Sequence, residues 1–519
     1  MSTEEARASA LAEAMFYFND DRLEGVQPLM DAVGHADPDE QRTAYEDALR
    51  LIEQGKFAQS VGPLRELVAQ KPTASRYRVA LGHALLGMRE HQAALECLDP
   101  VLKRNPDDLS GLLLKGVALN GLKCSTDALA IFNRMLEIDP ACATAYYNRT
   151  LSYHNLSRYH EALDSISTAV RLQPDYADAH ATRADLALRL NLNEETLYSA
   201  TRALELDPGN KAGAYCKASI LLGKADFAQG WAAMARACGK TWHIDCPEKL
   251  WDGSQDLAGK TLVVDTEFGM GDNIQMSRYM LAAKAAGAHV IYRAHQWLAP
   301  LMKLVPSMGE IIGMHETPPP FDLHCSIMAL PHCFRTTLDT IPFTSRYLDS
   351  DATKRAEWES FLGPREPHRP RIGLVWRGNP NHGNDANRSM TLAEFAPHLP
   401  AGPQYVSLQQ VVGPEDALQL EQRPDITLVG SHLRNYADTA ALIDCLDLVI
   451  SVDTSVAHLS GALGKPTWIM IPVVPEFRWL DTRSDSPWYS SVKLYRQKIP
   501  KNWDYVCRSL HFAIRDLMD

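Results

Sequence analysis

Five prolines punctuate the first part of the chain at a constant step: Pro72, Pro106, Pro140, Pro174 and Pro208 stand 34 residues apart. Each closes a similar phrase: VAQKP, LKRNP, LEIDP, VRLQP and LELDP. Twelve residues before these prolines stand Ser60, Ala94, Ala128, Ala162 and Thr196, and twenty-four before them Ala48, Gly82, Gly116, Thr150 and Ala184. All are small. Small side chains at two fixed offsets let the helices of a hairpin approach closely, and the proline opens the next hairpin. Such a unit buries its apolar face only against its neighbours, so the spacing predicts a stack of helix pairs rather than a globular core.

The pattern resembles the tetratricopeptide repeat (TPR), and Tyr146, Tyr153, Ala162, Ile166 and Ala169 of the fourth copy match it best. Five copies cover Gln41 to Asn210 and a degenerate sixth runs to about Ile244, with an N-terminal helical cap over 1–40 and the array over 41–244. The resemblance implies an α-helical TPR solenoid whose inner groove holds an extended peptide or another partner. The family's groove-facing positions fall on Arg42, Tyr45, Arg76, His83, Asn120, Tyr147, His154, Asp178 and Asp185. These are mixed polar and aromatic residues without a dominant charge. A solvated concave surface and a protein-binding groove both fit; for the second, Tyr147, His154, His83 and Asn120 are the candidate acceptor contacts. Oligomerisation through the repeats is a further use of the same surface.

From Leu257 the texture changes. KTLVVDT, HVIYRA, RIGLVW, QYVSLQ, ITLVG, LVISV and TWIMI are short β-rich runs alternating with helical stretches. That alternation predicts parallel sheets in two Rossmann-like units, over 245–365 and 366–519, with Arg355 to Arg371 as a proline- and charge-rich hinge. The net charge of -12 disfavours a non-specific grip on nucleic acid or an anionic membrane. Neither a secretory signal nor a membrane span is expected. The ten cysteines form no CxxC pair, which points to reduced thiols and a cytoplasmic location. His324-Cys325 and His332-Cys333 lack zinc-knuckle spacing, and Asp349-Ser350-Asp351 lies in the approach to the hinge, so no metal is expected.

Ligands of parallel sheets bind beyond the carboxyl ends of the strands, and the chemistry-bearing residues lie there. DLVISV runs into Asp453-Thr454-Ser455 with His458 one turn further on. Thr454 or Ser455 could simply cap the helix. The same group also suits a phosphate, since helix-start amides and hydroxyls donate to anions and His458 adds another donor. RIGLVW enters a long polar loop bearing Arg377, His382, Asn384 and Arg388. Arg388 is either a surface cation or the neutralising partner of that phosphate. KTLVVDTEF enters Gly269-Met270-Gly271-Asp272. This is neither GxGxxG nor a P-loop, so a dinucleotide or ATP site is disfavoured. Asp272 is a helix cap or a general base, with Glu267 as its rival.

GMGDNIQMSRY, GLVWRGNPNHGNDANRS and SVDTSVAHLSGALGKP, followed by FRWL and DSPWY, together resemble the heptosyltransferase-like branch of the GT-B glycosyltransferases over Trp251 to Trp503. The layout is similar to that of protein O-GlcNAc transferases. The resemblance implies two Rossmann-like domains facing a cleft, with the acceptor side first and the nucleotide-sugar side second. It places the base at Asp272 and the donor contacts at Asp453, Thr454, Ser455 and His458. A basic loop residue, usually lysine in the family, falls on Arg388, with Asn384 nearby. The implied activity is inverting, metal-independent transfer from a nucleotide-sugar co-substrate, without a cofactor, to a protein recruited by the repeats, with flagellin Ser/Thr as one candidate acceptor. Two other readings stand beside it: transfer to a lipid-linked or polysaccharide acceptor, and a non-catalytic scaffold with a vestigial GT-B domain.

Overall fold

The computed structural model describes residues 39–238, 246–380, 382 and 384–518, with side chains from 41 onward. The expected cap over 1–40 (apart from its last two positions), the end of the array at Ile244, and loop residues Asn381 and Gly383 lie outside the described residues. Contacts divide the chain into two compact units at Gly213/Ala214.

In the first unit, ten helices from Asp39–Glu53 to Asn193–Leu206 pair into five hairpins. Each repeat proline stands three residues ahead of the next hairpin, as Pro72 does before Ser75–Gly87. All ten small positions are buried. The reason is steric. A methyl on Gly116 would lie 2.4 Å from Cζ of Phe132, and one on Gly82 would lie 3.0 Å from Leu98 Cδ2. A second period becomes visible only in the backbone. Gly55, Arg89, Lys123, Ser157 and Asn191 all turn between paired helices with φ of 57–69°. This left-handed region favours glycine, yet only Gly55 is one.

The second unit begins inside one more helix pair, Lys211–Gly223 and Phe227–Cys238, whose turn at Ala225 (φ 64°) repeats the same geometry. This sixth hairpin joins the α/β part. Phe227 and Trp231 enter an aromatic cluster with Phe477 and Trp488, at centroid separations of 5.9–6.0 Å.

Among the described residues, ten parallel strands follow in two sheets. The first contains β1 (Thr261–Asp265), β2 (His289–Ala294), β3 (Glu310–Gly313) and β4 (Leu323–Ser326), in the order β3-β2-β1-β4. The second contains β5 (Arg371–Val375), β6 (Gln404–Ser407), β7 (Ile426–Leu428), β8 (Leu448–Val452), β9 (Thr467–Ile471) and β10 (Val492–Arg496), in the order β10-β9-β8-β5-β6-β7. β5 and β8 are buried along their whole length, as expected for parallel strands covered on both faces. In each sheet the chain works outward from one strand, then returns to its other side. β1/β4 and β5/β8 are therefore the switch points, where connections diverge and leave a crevice.

The stretch expected as a hinge is tied to the second sheet. Its first half continues the helix Ala352–Leu362, whose Trp358 is buried. Arg371 bonds Glu359 and the Gly363 carbonyl, and Arg365 bonds Asp447 and the Cys445 carbonyl. Upstream, Arg346 bonds Asp444, and the Tyr347 amide bonds the Ala462 carbonyl. Bonds to the second sheet's elements therefore begin already at Arg346. Proline and charge content suggested a linker, but its charges pair with one another and with Asp447 just ahead of β8.

Candidate functional site

At the β1/β4 switch point, β1 ends in Asp265 and the chain turns through Thr266–Gly269 into the helix Met270–Met276. Asn273 builds this turn. Its amide nitrogen donates to the carbonyls of Glu267 and Gly269 at 2.8 Å, and its oxygen accepts from Thr266 Oγ1 and Tyr292 Oη. Phe268 is held at φ 58°, a conformation that costs on the order of 1–3 kcal/mol for a bulky residue and recurs at functional turns. Glu267 points into the first sheet, where it accepts from Ser326 Oγ at the end of β4.

Asp272 occupies the third position of that helix. One carboxylate oxygen accepts from the Gly269 amide at 3.1 Å and so caps the helix. The other accepts from Arg478, which also donates through Nε to Gln275 Oε1 at 3.1 Å. Arg478 belongs to the turn Phe477–Trp479 after β9, is 9% exposed, and lies 3.8 Å from Glu476. Its neighbouring carboxylates raise its already high pKa, against the effect of burial.

At the β5/β8 switch point, Thr454 stands before the helix Ser455–Ala462 with extended backbone and no capping bond from its side chain. Its hydroxyl pairs instead with Ser451 Oγ at 3.0 Å, and Ser455 Oγ accepts from Tyr436 Oη at 2.7 Å. The first-turn amides therefore receive no cap from Thr454, and a helix start of this kind carries partial positive charge. His458 is buried, bonds Tyr489 Oη through Nδ1 at 2.9 Å and stacks on Trp479 at 5.0 Å. Its Nε2 lies 3.9 Å from Asp453. Burial, reinforced by the charges of Arg478, Arg278 and Arg388, pushes the imidazole well below its ordinary range. It therefore acts at neutral pH as an uncharged hydrogen-bonding group. Burial raises the Asp453 carboxyl, while Arg478 and Arg388 pull it back down.

Arg388 ends the short helix Asp385–Arg388, is largely buried and bonds Asp385 at 3.3 Å. Gly378 allows this, because a methyl there would lie 2.7 Å from one guanidinium nitrogen. The Arg388 charge lowers both Asp453 and His458, so it lies within electrostatic reach of the second helix start. Asn384 turns inward to its own helix, accepting from Asn387 at 2.8 Å, and Arg377 is occupied by Asp416 at 2.9 Å.

The two helix starts touch. A methyl on Gly271 would lie 2.8 Å from His458 Cδ2 and 3.5 Å from Ser455 Cα. Asp272, Asp453, Thr454, Ser455 and His458 thus gather where the two helix starts meet, with Arg388 within electrostatic reach, whereas Glu267 is bonded to Ser326 of β4 and Asn384 to its own helix. Two arginines escaped the sequence reading. Arg478 is one. The other is Arg278, fully buried and fixed by the carbonyls of Gln275 and Trp488 and by Tyr347 Oη. The available signal was a cation set among aromatics in FRWL and beside the glycine turn in MSRY.

The array residues belong to the other unit. Tyr147 is buried with its ring 5.0 Å from that of Tyr176, and His83 is buried beside Phe57. Asn120 accepts from Ser152 at 3.0 Å, and His154 lies 4.0 Å from Asp185. Burial lowers His83 and His154 to about 4.

Among the described residues, no three His, Cys, Asp or Glu side chains converge as metal ligands, and no helix is long and apolar enough to cross a membrane. Asp349 pairs with Arg346, while Asp351 caps the helix Ala352–Leu362. All ten cysteines are free thiols.

The tetratricopeptide repeat family matches residues 79–141 and 147–211. Protein FlbA of Caulobacter vibrioides is 24% identical over 494 residues, covering 89% of this chain and 82% of that protein. A STIP1 homolog of Dictyostelium discoideum is 29% identical over 97 residues, 19% of this chain and 17% of its own length. Among solved structures, a thermophilic TPR protein of Thermus thermophilus is 21% identical with a TM-score of 0.33, over 35% of this chain and 99% of its own. MamA of Desulfovibrio magneticus RS-1 is 22% identical with a TM-score of 0.29, over 33% and 97%. Residues 79–141 and 147–211 are tetratricopeptide repeats, followed by two parallel α/β sheets, in a chain similar along most of its length to FlbA.

Proposed function

We propose that the α/β part is a GT-B glycosyltransferase, inverting and independent of metal, that moves a sugar from a nucleotide-sugar to a protein bound by the repeats. One observation carries the reading. The loops at the switch points of both sheets bring a carboxylate, Asp272, against an anion-compatible helix start at Thr454–His458, whose His458 feels the Arg388 charge. In the reaction, Asp272 takes the hydroxyl proton of the acceptor as its oxygen attacks the anomeric carbon. The bond from that carbon to the phosphate oxygen breaks, its electron pair leaves with the nucleotide, and Arg388 and the helix-start amides receive the charge. His458 donates or accepts as a neutral imidazole. Protein charges fill the place a metal would otherwise take.

Calorimetry with CMP, UDP, GDP and ADP tests the donor site. One nucleotide should bind, and Arg388→Ala should weaken it about tenfold or more, about 1.4 kcal/mol. Failure of all four, or an inert arginine change, removes the site. Intact mass of flagellin and other surface proteins made with and without this chain tests the acceptor. A mass increment of one glycosyl residue is expected on one of them.

The scaffold reading draws on a specific observation, the occupation of Asp272 by Arg478. Binding without turnover on any acceptor would favour it.

A further inference from the structure

Three arginines act on the buried His458, and they differ in what holds them. Arg278 donates to the carbonyls of Gln275 and Trp488 and to a tyrosine hydroxyl, partners that fix it in the scaffold. Arg388 rests on Asp385, within its own short helix. Arg478 is held by a carboxylate of the other sheet, Asp272, with Gln275 as its neutral partner and Glu476 nearby. Its charge also acts on Asp453 and His458, and the adjacent Trp479 stacks on the His458 ring. A guanidinium bound to the carboxylate that would accept the proton is thus next in the chain to the ring stacked on the helix start that would hold the phosphate. Carboxylate and phosphate offer the same pair of oxygens to an arginine fork, and a phosphate carries more charge.

We propose that Arg478 is a phosphate-binding residue of the donor site that Asp272 holds in reserve. This rests on the reading of Thr454–His458 as the donor's phosphate site. Donor nucleotide and Asp272 compete for one guanidinium, so donor binding draws Arg478 onto the phosphate and frees the carboxylate. A carboxylate that loses a cationic partner and gains an anionic neighbour holds a proton more tightly. The base thus becomes effective only once a leaving group is in place. No bond changes in this exchange. In the transfer that follows, the acceptor's proton goes to Asp272 and the departing phosphate keeps the bonding pair, its charge received by Arg478.

The test is the sign of one substitution. Titrations of the full chain with CMP, UDP, GDP, ADP and inorganic pyrophosphate identify the binding probe. For that probe, Asp272→Asn should tighten binding at least threefold, because Arg478 is no longer engaged. Arg478→Gln should weaken it at least tenfold, and Arg478→Lys should fall between wild type and Arg478→Gln. In the double variant the gain from Asp272→Asn should vanish, leaving the affinity of Arg478→Gln alone. A gain that persists without Arg478 reflects only relief of charge repulsion and overturns the proposal. So does an Asp272→Asn affinity that is unchanged or weaker while Arg388→Ala still costs tenfold. If no probe binds the wild-type chain, the donor site itself falls and this inference falls with it. Binding with the wrong sign removes only the role of Arg478.

Discussion

The repeat array and the α/β part solve the problem of close packing at opposite ranges. In the array, Gly116 meets Phe132 sixteen residues on, and Ser152 reaches back 32 residues to Asn120. Every such contact stays within a hairpin or joins it to the next. In the α/β part, Asp272 meets Arg478 across 206 residues, and Arg278 meets the Trp488 carbonyl across 210. Both parts use glycine for approach, at Gly116 in one and Gly271 in the other. The first lets a helix settle on its partner; the second lets two sheets bring a carboxylate and a helix start together. Local stacking yields a surface that tolerates change piece by piece, because stability there is a sum over neighbours. Distant contacts concentrate chemistry in one place and make it depend on the docking of both sheets.

The sharpest way to break this contrast is Asp272→Asn. Transfer to the acceptor should fall at least ~10²-fold, the usual scale for losing a general base. The urea unfolding of the array should not change. A rate within threefold of wild type would pass the role to Glu267 or to the substrate.

Acid tests the array next. His83 and His154 lie at about 4 when folded, against the usual 6.5. Above pH 6.5 both states hold these rings neutral, and no cost arises. As pH falls from 6.5 towards 4 the unfolded chain binds protons that the folded array cannot, so stability falls by roughly 2 kcal/mol for each ring at pH 5. His83→Gln should flatten the pH dependence of the array's unfolding midpoint between pH 6.5 and 4. An unaltered slope would show that the ring is accessible.

A matched pair of glycine changes sharpens the comparison. Gly116→Ala forces its methyl against Phe132 and should cost the array about 1–2 kcal/mol in urea titrations, leaving nucleotide affinity untouched. Gly271→Ala should instead lower that affinity with little effect on the array. If both act alike, the two parts unfold as one.

The smallest effect lies in the left-handed turns. Lys123→Gly removes the strain of a φ near 62° and should stabilise the array by about 0.5 kcal/mol, after the greater freedom of glycine in the unfolded chain is set against it. A destabilised variant would mean that the lysine side chain contributes more than its backbone costs.

The structure also changes where the chain should be divided. A chain starting at Trp251 leaves out Phe227 and Trp231 and uncovers Phe477 and Trp488. A start just ahead of Lys211 keeps the sixth hairpin with the sheets. That version is the one to compare with the full chain for transfer to a protein. An equal rate would favour a lipid-linked or polysaccharide acceptor.

Much of this was legible in the residues themselves. The 34-residue step named the small positions, and all ten are buried. Apolar runs ending in DT, in WRGN and in GMGD marked strand ends, because a strand covered on both faces must change composition where it leaves the sheet. Other features left no local trace. The left-handed turns recur at the repeat period under Arg89, Lys123 and Ser157, residues with no preference for that conformation, because hairpin packing imposes it. The expected hinge carries a hinge's composition, yet Arg365 pairs with Asp447 just ahead of β8 and Arg371, at the start of β5, pairs back to Glu359 of the preceding helix. Tyr147 and His83 occupy groove positions by pattern and are buried all the same, since a repeat phase gives a direction but not the depth of the neighbouring side chain.

By itself, then, the sequence determined what short-range periodicity can encode: a stack of helix pairs, two sets of parallel strands and the polar residues at their ends. The tertiary structure alone decided that the ends after β1 and β8 touch through Gly271 and His458. It also decided that Asp272 is paired with an arginine from FRWL rather than left to cap its helix alone. Helix and strand patterns arise from neighbours along the chain. An ion pair spanning 206 residues depends on how two sheets dock, and no periodicity records that.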